Sequence, residues 1–165
     1  MSISYIEALL KDLQTQLDEK IVPGDFYDTS PTVKRGITVW QDTDGYRPYI
    51  WFISDNIEYI ETMSTTTIVG IDIELVGYAD VDGYGDNDML FRLLKDVEYF
   101  LFNNWLDSDS NKRQVSLLDC VLEEGGINEA AGQSAFSLKI RVLTEFNSST
   151  LLYQGDIPDG NKIRN

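Results

Sequence analysis

The chain has 165 residues, 42% of them hydrophobic and 25% charged, which suits one globular domain with or without a tail. Thirteen Lys and Arg stand against 28 Asp and Glu, and the net charge of -15 repels a phosphate backbone rather than wrapping it. There is no histidine, which excludes Ser-His-Asp and Cys-His catalysis and removes the commonest transition-metal ligand.

The opening MSISYIEALLKDLQ reads as an amphipathic helix and not as a secretory signal. Ile6, Leu9, Leu10, Leu13 and Leu17 form one apolar stripe, with Ser4 as N-cap and Glu7 placed for a capping box. Pro23-Gly24 closes the element. Residues 22–34 are rich in turn formers (Asp25, Asp28, Ser30, Pro31) and read as a functional or partner-ordered loop.

Strands are expected next. Val33 to Trp40 is β-branched and half alternating, and Asp42, Asp44 and Gly45 then mark a turn. PYIWFIS, 48–54, follows, with Pro48 suited to a strand start. A turn near Asp55-Asn56 precedes a further strand through Ile57 and Tyr59. From Thr67 to Tyr78, Val69, Ile71, Ile73 and Leu75 fall on one face, and Gly70, Asp72 and Glu74 on the other. Water or a charged partner is expected on that second face.

A long helix is predicted over about 87–104, its apolar face made by Met89, Leu90, Leu93, Leu94, Val97, Phe100 and Leu101. Arg92, Lys95, Asp96 and Glu98 are assigned to the polar side. After a polar loop at 103–114, Val115–Glu123 and Ser134–Phe146 read as two strands separated by a break at Gly125-Gly126. The expected fold is α+β: a single mixed, mostly antiparallel sheet with an N-terminal helix and one long helix packed on it. Residues 1–146 make the domain, and 147–165 a polar C-terminal tail or arm. A helical connection joins the 67–78 and 115–123 strands, a crossover if these two run parallel. No apolar run approaches the roughly 20 residues that span a bilayer.

Asp80, Asp82, Asp86 and Asp88 form the densest acidic cluster. A calcium loop started at Asp80 has Asp82 at position 3 and Gly85 at 6, but Tyr84 at 5 and Phe91 at 12, where a carboxylate is needed. The better reading is a helix start. Asp86 or Asn87 caps the helix, and Asp88 sits in its first turn, where the helix dipole favours negative charge. Gly125-Gly126 lacks the Lys and Ser/Thr of a phosphate-binding loop. Cys120, alone in an apolar run, reads as a buried, inert thiol and points to a reducing compartment. No catalytic residue, metal ligand or cofactor is assigned. Trp40, Tyr46, Tyr49, Trp51, Phe52 and Tyr59 are mostly core, but alternation sets Trp51 opposite Phe52 and turns one large ring outward.

The order of these elements resembles the tail terminator (tail completion) proteins of long-tailed bacteriophages. The resemblance runs over roughly residues 4–146. It is carried by the N-terminal helix, 48-PYIWFIS-54, 67-TIVGIDIELVGYAD-80, 87-NDMLFRLLKDVEYFLFNN-104, 117-LLDCVLEEGG-126 and 134-SAFSLKIRVLTEF-146. The extended polar segment 147–165 departs from the pattern. The resemblance implies a structural virion protein, not an enzyme, at the head-proximal end of the tail and assembled in the host cytoplasm. It would form a ring, usually a hexamer, that ends tube polymerisation and offers the head-joining surface. Its partners would be other copies of itself, the tail tube protein and the head connector or head completion protein. DNA would pass through without sequence-specific binding, and no membrane is involved. The residues assigned to a subunit or tube interface are Tyr46, Trp51, Asp80, Asp82, Tyr84, Glu123 and Glu124. The alternatives are another head-tail junction ring, a small acidic metal-binding domain or enzyme using the 80–88 aspartates, and a monomeric binding module with an aromatic face.

Overall fold

The computed structural model describes residues 4–36, 48–80, 88–123 and 133–148. Helix α1 spans Tyr5–Lys20. The Ser4 hydroxyl accepts the Glu7 amide at 3.2 Å, one half of the expected capping box. The other half is not made, because the Glu7 carboxylate turns along the helix to Lys11 at 3.4 Å. Leu9, Leu13 and Leu17 are fully buried, as the stripe requires. The helix stops before Pro23, with the Ile21 amide closing on the Leu17 carbonyl.

Among the described residues five strands form one sheet: β1 (Thr32–Arg35), β2 (Tyr49–Thr62), β3 (Thr66–Asp80), β4 (Gln114–Glu123) and β5 (Gln133–Asn147). Their order across the sheet is β1-β2-β3-β5-β4. β1 runs parallel to β2, and every other pairing is antiparallel. The mixed, mostly antiparallel sheet expected from the sequence is therefore present. β3 and β4 run in the same direction with β5 between them, and α2 (Asp88–Asn103) lies on the connection that joins them.

The expected turn near Asp55-Asn56 is not there. β2 runs straight through, and the polar pair is absorbed by a bulge: Ser54 pairs with Ile73 and Asn56 with Asp72, leaving Asp55 as the extra residue. A bulge bends a strand without ending it, so turn-forming residues do not always mean a turn.

The core lies on one side of the sheet. Val69, Ile71, Ile73 and Leu75 of β3 and Phe136, Leu138, Ile140 and Val142 of β5 meet Leu90, Leu93, Val97, Phe100 and Leu101 of α2, together with the α1 leucines. Phe52 joins them, while Trp51 turns to the opposite face. Met89, assigned to the buried stripe of α2, is exposed.

Asp96 is the larger correction. It is not on a solvated side of α2 but fully buried. Its Oδ2 accepts the amides of Asp28 and Thr29 at 3.0 and 2.8 Å and the Thr29 hydroxyl at 2.6 Å. Its Oδ1 has no hydrogen bond but lies 3.2 Å from the Lys95 ammonium. A buried carboxylate is tolerable because three donors and a cation meet it. The segment read as a functional or partner-ordered loop is thus anchored to α2: Lys95 also pairs with Asp28, and Tyr27 and Thr29 are buried.

Candidate functional site

The face of the sheet away from the helices was expected to meet water or a charged partner. Its centre instead neutralises itself. Arg141 of β5 donates through Nε and Nη2 to the two oxygens of Asp72 at 2.7 and 3.1 Å, and its Nη1 reaches Glu58 at 2.7 Å. Gly70 leaves room for the Arg141 stem, which would stand 3.1 Å from a Cβ there. Lys139 lies 3.8 Å from Asp55, and the Ser137 hydroxyl donates to Glu74. Above this ladder Tyr49, Val76, Tyr78 and Ala135 form a small buried cluster, with Trp51 packed against it.

Hydrogen bonds from Arg141, followed by smaller contributions from Asn56 and the nearby cations, hold the Asp72 carboxyl below its ordinary value against the opposing effect of burial. The pH dependence follows. A depressed carboxylate stabilises the fold fully above its unfolded value of about 4, and that stability is lost as pH falls through the lower folded value. Asp72→Asn is expected to cost about 1.5–3 kcal/mol at neutral pH, the range for bonds to a charged group. The gap to the unsubstituted protein should begin to narrow below about pH 4 and close as pH falls through the lower folded value. Urea titrations from pH 7 to 2.5 check this, and a gap independent of pH would refute it.

Of the residues assigned to an interface, Tyr46, Asp82, Tyr84 and Glu124 lie outside the described residues. The other three come to the same end of the sheet. Glu123 pairs with Ala135, which pairs with Tyr78, which pairs with Tyr49, two residues from Trp51; Asp80 stands opposite Gln133. Trp51 is half-buried, with its indole N–H donating to the Tyr78 hydroxyl at 3.0 Å. Asp80 is also half-buried and has a partner of its own. The metal reading of the 80–88 aspartates rests on Asp82 and Asp86, which are not among the described residues; among those that are, no group of three His, Cys, Asp or Glu is placed to hold a metal ion.

The feature that sequence reading missed is β4. The run VSLLDCVL is nearly continuous in apolar residues, the pattern of a strand covered on both faces. It lies at the sheet edge instead. Leu117, Leu118, Val121 and Leu122 are 42% to 51% exposed. Cys120 is exposed as well, not buried as expected. Its thiol is nevertheless not activated, since partial burial and then the nearby Glu98 and Asp119 push its pKa up. Leu117, Cys120 and Leu122 stand opposite the core residues Ile140, Leu138 and Phe136, on the helix side. α2 lies against β3 and β5, and α1 against β1, so neither helix covers β4 comparably. Phe91 lies two turns before Glu98 and Phe102 one turn after it on that flank of α2, and both are exposed.

Edge strands are ordinarily blunted by brevity, Lys, Pro or bulges. β1 follows that rule, with four residues ending in Lys34 and Arg35. β4 has ten residues with no Lys, Arg or Pro, and only a bulge at Leu118 disturbs it. Among the described residues no helix is long and apolar enough to cross a membrane. Compared with known protein families and with curated proteins, the chain matches none.

Proposed function

We propose that this protein is a structural subunit that assembles into a ring at the head-proximal end of a phage tail tube, ends tube growth and presents the surface for head joining. The observation that carries the assembly part is β4, a strand with the composition of an interior strand placed at an open edge. Ten residues at about 3.3 Å each give an edge some 33 Å long. With the flanking Phe91 and Phe102, such a strip suits an interface approaching the roughly 800 Å² per partner of a stable complex.

The phage part of the reading rests on the order of elements that resembles tail terminators. The net charge of -15 fits it, because a channel that passes a genome should not hold it. The absence of histidine costs a structural subunit nothing.

Light scattering across a concentration series, with negative-stain images of the same samples, tests the proposal. Closed rings with a central hole, which cap tail tubes and stop their extension, are the expected result. A monomer at every concentration that neither forms rings nor caps tubes overturns it. Tight calcium binding by such a monomer would favour the acidic metal-binding reading.

A further inference from the structure

Among the described residues the sheet has two free edges, β1 and β4, and they differ in length, charge and cover. We propose that β4 of one copy pairs with β1 of the next, so that the sheet continues head to tail from copy to copy. The inference deepens the ring reading and rests on it for closure of the assembly.

Strand direction comes first. β2 runs with β1, and the three steps from β2 to β4 are each antiparallel, so β4 points opposite to β1. Copies related by rotation about an axis along the strands therefore meet edge to edge in an antiparallel ladder, with their helices on the same side. A head-to-tail contact of this kind uses two different patches, and it generates a ring when the rotation closes.

Cover is the second observation. Among the described residues neither helix covers the apolar helix-side face of β4 as α1 covers β1. A copy that joins through β1 brings its own α1 into the layer beside Leu117, Cys120 and Leu122. Pairing two β4 strands about a two-fold axis would instead set two uncovered strands side by side and leave both β1 edges open.

Charge is the third. Lys34 pairs in register with Trp51, which faces away from the helices, and Asp119 with Lys139, on that same face. Arg35 pairs with Phe52, on the helix side, where Glu98 approaches Cys120. Lys34 and Arg35 are exposed, and none of these four charges has an ion pair among the described residues. A β4–β1 junction puts base against acid on both faces, whereas β4 against β4 puts acid near acid.

Two exposed-site variants test the contact: Val121→Lys on β4, and Lys34→Glu with Arg35→Glu on β1. Asp119→Lys is a second β4 variant should the first fold poorly, and circular dichroism checks each fold. Sedimentation is measured where the unsubstituted protein is assembled. Each variant alone is expected to be monomeric, because each has lost one patch. Their equimolar mixture is expected to form a heterodimer, because each still carries the patch that the other needs. If the β4 variants assemble like the unsubstituted protein, this contact is wrong and the ring reading stands. The same holds if only the β4 variants fall apart, which means that β4 pairs with itself or with another surface, or if the mixture stays monomeric. An unsubstituted protein that is monomeric throughout and caps no tube overturns both.

Discussion

Replacing Asp12 by alanine is expected to lower stability by about 3–5 kcal/mol, the range for removing one partner of a buried ion pair. The urea midpoint should fall with little change in slope. Asp12 is 1% exposed on α1, and its carboxylate gathers most of what ties that helix to the segment before β4. Oδ2 accepts the Trp105 indole N–H at 2.9 Å and the Arg113 Nε and Nη2 at 2.9 and 2.6 Å, while Oδ1 accepts from Gln16. Gln16 in turn donates to the Leu106 carbonyl and accepts the Leu106 amide. The Arg113 guanidinium also stacks 5.2 Å from the centre of the Trp105 ring. Alanine at position 12 removes, from a dry site, the carboxylate on which these donors converge. Asp12→Asn keeps the shape and loses the charge, so its cost should be intermediate. A loss below about 1 kcal/mol for alanine would mean that water replaces the carboxylate and that the network is not a structural tie.

Gly77→Ala is expected to destabilise by about 3 kcal/mol, at the upper end for overpacking. A Cβ at position 77 would stand 2.3 Å from Cε1 and 2.4 Å from Cζ of Phe136. Phe136 is the cross-strand neighbour of Gly77 and is fully buried, so its ring has nowhere to retreat. The glycine is there because the ring crosses the β3 backbone. Phe136→Leu, itself destabilising, should make room for the methyl group. The double variant should then lose clearly less stability than the sum of the two single losses. Additive losses in that double-mutant cycle would place the cost of Gly77→Ala elsewhere.

Gly77 could be read from the sequence only as a break in alternation, since the ring that requires it lies far along the chain. The same limit explains what was legible and what was not. Alternation at Val69, Ile71, Ile73 and Leu75 and the helical spacing of Leu9, Leu13 and Leu17 are local patterns, and they gave the elements and their buried faces. Asp96 and Asp12 are polar by type, but the backbone amides, indole and guanidinium that converge on them come from 67 to 101 residues away. Helical periodicity places a side chain on a face and does not say that a distant loop or arginine covers that face. Asp55 and Asn56 have turn chemistry, yet cross-strand pairing with β3 carried the strand past them. For β4, the apolar run correctly gave a strand, but strand order is not a local property. Its place at the edge became visible only once β5 was seen between it and β3. Of the interface residues assigned from the sequence, Trp51, Asp80 and Glu123 do share one end of the sheet, while the exposed leucines of β4 carried no signal of exposure.

The strand order has a consequence in time. β4 precedes β5 in the chain, but among the described residues β5 is its only neighbour within the sheet. During synthesis β4 therefore emerges with nothing to pair with, and β3 waits with one edge bare until β5 follows. The β3–β5 ladder pairs Thr66 with Asn147, and just beyond it the hydroxyls of Thr67 and Ser148 meet, 81 residues apart. Such long-range pairing slows folding and leaves sticky strands exposed meanwhile. The apolar run of β4 is thus the segment most in need of protection on a translating ribosome, and copies truncated before β5 should be the ones that aggregate.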